Sequence, residues 1–368
     1  MSPRPDSPGR PAAVCMVGAF PPPVHGMSQV NAWMRDALRQ RHVPVVVIDL
    51  AATGRGWRAR LVRLLRVIGG LTGFLRRAAF GPLGIIYLSV SGGWGQVYDI
   101  IFVSIARICG IKPVLHHHSY AYLTTRRSLA AVLMQVAGRG ATHVVLCSDM
   151  ERRLRGQYNC QAATLIVSNA RLVECHGEER RQRCRRSVDT IGYLGNIAED
   201  KGIGEFLAVA ANLAEAGHGM QAVVAGPFLE PRVEGWVRNA VSALDGVSYV
   251  GPTYGDAKAD FFSHIDVLVF PTKYLNEAEP LAVLEGMAHG VPAIAWGRGC
   301  LMEMIADGAG LVIDVKRDFV SHATTQIQQW ASASDAFALA SESALRKFRE
   351  RADASTHAYE QLLHMLGA

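Results

Sequence analysis

The sequence predicts an α/β protein built from two doubly wound domains, each a parallel sheet covered by helices. Three observations predict it. Short apolar runs alternate with longer segments of helical periodicity, the pattern of strands buried on both faces. The chain has 368 residues, too many for one ordinary core and suited to two of about 150–200 residues each. The alternation also restarts at Thr190, after a polar, arginine-rich stretch.

In the first half, Val14–Phe20 reads as a buried strand, followed by a Pro/Gly loop and a helix from about Ser28 to Arg41. Further strands are expected at Val43–Asp49, Gly84–Ser89, Pro113–His118, His143–Cys147 and Thr164–Ser168. Glu174–Ser187 has little to bury and reads as a linker. The second half gives strands Thr190–Leu194, Gln221–Ala225, Val247–Val250, Val267–Phe270, Ala293–Ala295 and Leu311–Asp314, with helices over 202–216 and 230–243. An amphipathic helix starts near Ser332. The expected domains are 1–187 (linker 170–187), 188–345, and a final helix 346–368 packing back on the first domain. Parallel sheets bind ligands at the C-terminal ends of their strands, so a cleft between the domains is expected there.

Composition narrows the function classes. Hydrophobic residues are 49% and charged residues 19% of the chain, a globular balance. The net charge of +6 favours anionic partners such as nucleotide phosphates or acidic lipid headgroups. Nucleic acid is not expected, because no recognition motif or stacking pattern accompanies the charge. Seven scattered cysteines without a CxxC pair argue against a zinc site or a disulfide framework and for a reducing, cytoplasmic setting. The apolar run Ala12–Phe20 ends in three prolines, so it reads as a strand and not a signal peptide. No run of about 18 apolar residues is present to span a membrane.

Residues 270–297, FPTKYLNEAEPLAVLEGMAHGVPAIAWG, are the most informative. A strand ends at Phe270, a polar loop carries Glu277, and a helix starts near Pro280–Leu281 with Glu285 inside it. The backbone N–H groups of Ala278, Glu279 and Leu281 stand at this helix start, where an anion is favoured. In GYLGNIAEDKG (192–202), a strand turns through Gly195 and Asn196 into a loop, and Lys201 precedes a helix. A lysine there can neutralise a diphosphate. After the first strand, FPPPVHGMS supplies Gly26, where backbone can approach a ligand, and Ser28 as an expected helix cap. VLHHHSYAY (114–122) puts His116 and His118 on one strand face and His117 on the other. Adjacent strand residues do not converge on one ion, so no metal site is expected; a buried, hydrogen-bonded histidine and a sugar-facing one remain the alternatives.

The string E-A-E-P-L-A-V-L-E followed by G-M-A-H-G-V-P-A resembles the Glu–seven residues–Glu motif of family 4 retaining glycosyltransferases, whose fold is GT-B, two Rossmann-like domains. The resemblance implies that Glu277 contacts the donor sugar and Glu285 the ribose. Lys201 matches the phosphate-binding lysine of the family, while Asn196 stands where many members carry arginine, which removes a charge. His118 matches a histidine that faces the sugar, and Gly26 lies in the loop beside the donor phosphates. GRGCLMEMIADGAG (297–310) is similar to the segment that gives backbone amides to the diphosphate, here Gly299, Cys300 and Leu301. Catalytic roles thus fall on His118, Glu277 and Lys201. No cofactor or metal is implied, since lysine and helix ends replace the ion. A nucleotide-sugar donor would pass its sugar with retention to a saccharide or lipid-linked acceptor, as in surface polysaccharide or glycolipid synthesis. The rival readings are a nucleotide-sugar epimerase of the same fold and a non-catalytic nucleotide-sugar binder.

Residues 54–80 intersperse Arg55, Arg58, Arg60, Arg63, Arg66, Arg76 and Arg77 with leucines and valines. Glycines at 69, 70 and 73 are expected to interrupt the helix. The segment reads either as a surface helix hairpin or as a patch facing an anionic membrane, which would place the protein on the inner membrane face.

Overall fold

The structure, a computed structural model, describes residues 13–51, 57–175 and 187–368. Arg55 and most of the expected linker, 176–186, lie outside the described residues. The chain divides into two units, Met1–Val167 with Ser355–Ala368, and Ser168–Ala354. The second unit therefore opens at Ser168, ahead of the expected 188, and the return to the first falls at Ser355.

The first unit holds β1 (Ala13–Gly18), β2 (Val45–Asp49), β3 (Leu83–Val90), β4 (Lys112–His117), β5 (Thr142–Val145) and β6 (Ala163–Ile166). They form one parallel sheet in the order β2-β1-β3-β4-β5-β6. All six residues of β1 are buried, as the continuous apolar run requires of a strand covered on both faces. The helices are α1 (Gly26–Gln40), α2 (Trp57–Phe80), α3 (Gln96–Ile108), α4 (Ala121–Thr124), α5 (Ser128–Ala137) and α6 (Ser148–Tyr158).

The expected break in α2 does not occur: it is one helix through all three glycines. Gly70 supplies the reason, because a Cβ there would stand 2.6 Å from Ile48 Cγ2. The glycine lets α2 close on β2, and Val67, Phe74 and Ala78 bury the same face. Phe74 meets Phe102 of α3 edge-on at 5.7 Å.

The second unit holds α7 (Asn169–Cys175), β7 (Thr190–Leu194), α8 (Ile203–Glu215), β8 (Gln221–Ala225), α9 (Pro231–Ala243), β9 (Val247–Gly251), α10 (Asp256–His264), β10 (Val267–Phe270), α11 (Leu281–Ala288), β11 (Ala293–Trp296), α12 (Leu301–Met304), β12 (Gly310–Ile313), α13 (Phe319–Ser332) and α14 (Ser334–Met365). Its sheet runs β12-β11-β10-β7-β8-β9, all parallel. The strand order reverses beside β1 in one unit and beside β7 in the other. Such reversals open a crevice at the C-terminal strand ends.

From Ser355 onward α14 counts with the first unit. There Arg41 grips Glu360 with two hydrogen bonds of 2.8 and 2.9 Å, and Leu362, Leu363 and Leu366 are fully buried. Cys15, Cys109 and Cys160 are free thiols.

Candidate active site

The reversal in the second sheet lies between β7 and β10, and the loops that leave these two strands carry Lys201 and Glu277. Lys201 Nζ meets Glu277 Oε2 at 2.5 Å, with both side chains largely buried. The ammonium also lies 4.1 Å from the centre of the Tyr274 ring. Gly202 makes this approach possible. Its φ is +81°, and a Cβ there would stand 2.1 Å from the carbonyl oxygen of Pro271. Glycine after the lysine is therefore a steric requirement for bringing the start of α8 against the loop that follows β10.

Glu285 does not join that pair. It is buried on α11 and pairs with Lys258 of α10, Nζ lying 2.8 Å from Oε1 and 2.7 Å from Oε2. Glu285 Oε2 lies within ion-pair distance of the same ammonium but without an aligned hydrogen bond, and a carboxylate oxygen has two lone pairs, so it retains acceptor capacity for a hydroxyl. Lys258 was missed in the sequence, since its partner is 27 positions away and no local pattern announces it.

Glu279 was expected to contribute its backbone N–H; its side chain has a separate task. The carboxylate accepts from Ser168 Oγ at 2.7 Å, from the Asn169 N–H at 2.6 Å and from the Arg351 guanidinium at 2.7 Å. The Asn169 side-chain amide donates to the Glu279 carbonyl at 3.1 Å. This buried cluster fixes the segment between Glu277 and α11, whose first-turn N–H groups, Leu281 included, lack intrahelical partners.

Two expected donors are already engaged. Cys300 N–H donates to the carbonyl of Ala278 at 2.8 Å, and Leu301 N–H to that of Arg298 at 3.0 Å. Both carbonyls therefore compete with any phosphate. Gly299 has φ +57°, and a Cβ there would lie 2.6 Å from the carbonyl oxygens of Glu277 and Ala278. It permits close packing against the Glu277 loop. Asn196 follows β7 and its carbonyl accepts from the Tyr193 hydroxyl at 3.3 Å.

In the first unit, the cap of α1 is His25 and not Ser28. His25 Nδ1 accepts from the Ser28 N–H at 3.3 Å, and Ser28 Oγ accepts from the His25 N–H at 2.9 Å. Histidine is an unusual residue for this reciprocal box, so the sequence signal pointed to the serine. Gly26 follows as the first helical residue, with open space where a Cβ would be.

The three adjacent histidines part as alternation requires. His116 and His118 have ring centres 3.9 Å apart. His117 turns away, its Nδ1 at 2.7 Å from the Tyr122 hydroxyl and its Nε2 at 2.9 Å from His143 Nδ1. His116 bonds the Tyr87 hydroxyl. His118 stands just beyond β4 with its Nε2 sealed from solvent and without a hydrogen-bond partner among the described residues. Burial, reinforced by the charge of His25, lowers the His118 pKa to about 3, so the ring is neutral at physiological pH.

Residues 188–332 match the family model of glycosyl transferases group 1. Alpha-D-kanosaminyltransferase of Streptomyces kanamyceticus is 24% identical over 233 residues, covering 56% of this chain and 58% of that protein. HepE of Anabaena, solved in complex with UDP, superposes with a TM-score of 0.67 at 14% identity over 96% of this chain and 99% of its own. Sucrose-phosphate synthase of Thermosynechococcus elongatus gives a TM-score of 0.69 at 14% identity, covering 96% of this chain and all of that one. The fold is GT-B.

Proposed function

We propose that the protein is a retaining glycosyltransferase that moves a hexose-type sugar from a nucleotide-sugar to a saccharide or lipid-linked acceptor, in surface polysaccharide or glycolipid synthesis. The observation that carries this reading is the Lys201–Glu277 pair at the strand-order reversal of the second sheet, inside the segment that matches the family model. Solved HepE structures with UDP and with UDP-glucose support a donor of this class.

In this reading Lys201 exchanges part of its contact with Glu277 for the donor diphosphate. Glu285 accepts ribose hydroxyls at the lone pairs that Lys258 leaves open, while the Lys258 ammonium neutralises the carboxylate. Glu277 and the neutral His118 orient the sugar. The bond from the anomeric carbon to the diphosphate breaks as the acceptor oxygen bonds to the same face. The acceptor proton leaves with the phosphate oxygen. Lysine and the α11 start supply the charge stabilisation, so the reading calls for no metal. The reaction would take place on the cytoplasmic side of a membrane that holds the lipid-linked acceptor.

Thermal-shift measurements with UDP-, GDP- and ADP-sugars test the donor assignment. One class of donor should raise the unfolding midpoint, at about 2.7 kcal/mol for a ligand at a hundred times its Kd. Lys201→Ala and Glu285→Ala should each abolish the rise. Nucleotide release that proceeds at full rate without an acceptor would count against transfer and for an isomerase or hydrolase.

A further inference from the structure

Helix α2 is set apart by what it leaves in solvent. Val67, Phe74 and Ala78 face the core, yet Leu61, Leu64, Leu65, Ile68 and Leu75 are also on the helix and all are exposed. Their spacing of three, four and seven gathers them on one stripe, since successive residues turn by about 100°. Leu65 is 59% exposed, and Phe80 at the end of the helix is 90% exposed. An apolar stripe this long on a surface helix marks an interaction face.

Charge identifies the partner. The 24 residues of α2 include six arginines and no aspartate or glutamate. Of these, Arg63, Arg66, Arg76 and Arg77 are exposed. An isologous contact through this face would oppose arginine to arginine with no carboxylate on the helix to pair them. A surface of phosphates above hydrocarbon satisfies both halves of the pattern.

We propose that α2 lies on an anionic lipid bilayer, its leucine stripe at the boundary of headgroups and acyl chains and its unbalanced positive charge drawn to the lipid phosphates. The inference stands without the transfer reading, and its test uses no activity.

The full chain is sedimented with phosphatidylcholine vesicles and with vesicles that also contain phosphatidylglycerol, over a series of salt concentrations. Binding should require phosphatidylglycerol and weaken with salt. Arg63→Gln and Arg76→Gln should each lower the partition about fivefold. Leu65→Glu with Ile68→Glu should lower it further. Equal binding to both vesicle types, or no binding at low salt, overturns the proposal. So does self-association that is lost in Leu65→Glu without any vesicle binding, which would assign the face to a second copy. If a variant fails to fold, the salt and lipid dependence of the unaltered chain still decides the matter.

Discussion

Glu279 shows how far a residue's role can lie from its neighbours in sequence. It is two positions from Glu277, yet its carboxylate faces Ser168, Asn169 and Arg351 and is sealed from solvent. Removing one side of a buried ion pair leaves the other charge uncompensated, at a cost of about 3–5 kcal/mol. Glu279→Ala should therefore lower the unfolding free energy from denaturant titration by that amount, and Arg351→Ala by a similar one. The double variant should lose less than the sum of the two, because the singles share one interaction. Additive losses would show that the carboxylate and the guanidinium act independently. The sequence revealed Glu277 and Lys201 because each belongs to a local string. It hid the pairs made by Glu279 with Arg351, 72 positions away, and by Glu285 with Lys258, since nothing in a linear pattern encodes such contacts.

At the scale of elements, the central strands were legible because a strand covered on both faces must be apolar throughout, as β1, β10 and β11 are. Glycine was harder to interpret. The three in α2 read as breakers, yet Gly70 serves the packing of the helix on Ile48. Gly202 read as a helix-start residue, and the contact with Pro271 shows why no other residue fits. Gly202→Ala should destabilise the second unit by more than the roughly 1–2 kcal/mol of a left-handed alanine. It should also weaken nucleotide-sugar binding by moving Lys201 off Glu277, a change visible as a smaller donor-induced thermal shift. Unchanged donor binding would separate Gly202 from the placement of the lysine.

Strand β4 carries a pH consequence of its own. His116 and His117 titrate well below the usual histidine range, first through burial and then through neighbouring histidines. Burial lowers His143 to about 4. In the unfolded chain these rings take up protons near pH 6.5. The native state binds fewer protons below that pH, so its stability is fully present above about 6.5 and declines as pH falls toward 4. Urea midpoints at pH 7 and pH 5 should differ accordingly, and His143→Gln should flatten the difference. A midpoint unchanged between the two pH values would mean that the rings are protonated in the folded protein.

For the molecule as a whole, the first unit takes its last 14 residues from the far end of the chain, whereas the second is one uninterrupted segment. Ending the chain at Ala354 removes the Arg41–Glu360 clamp and three fully buried leucines. Each such leucine is worth about 1.5–3 kcal/mol, and the sum is comparable with the 5–15 kcal/mol that holds a whole domain. The truncated chain should lose the unfolding transition of the first unit and keep that of the second. Two intact transitions would show that the terminal turns are dispensable.

This interrupted layout also orders events at the ribosome. Domains usually complete themselves in the direction of translation. Here the segment up to Val167 waits for Ser355–Ala368, which is made after the second unit. The second unit can mature while still tethered, but the first sheet acquires its closing turns of helix only once those residues have emerged.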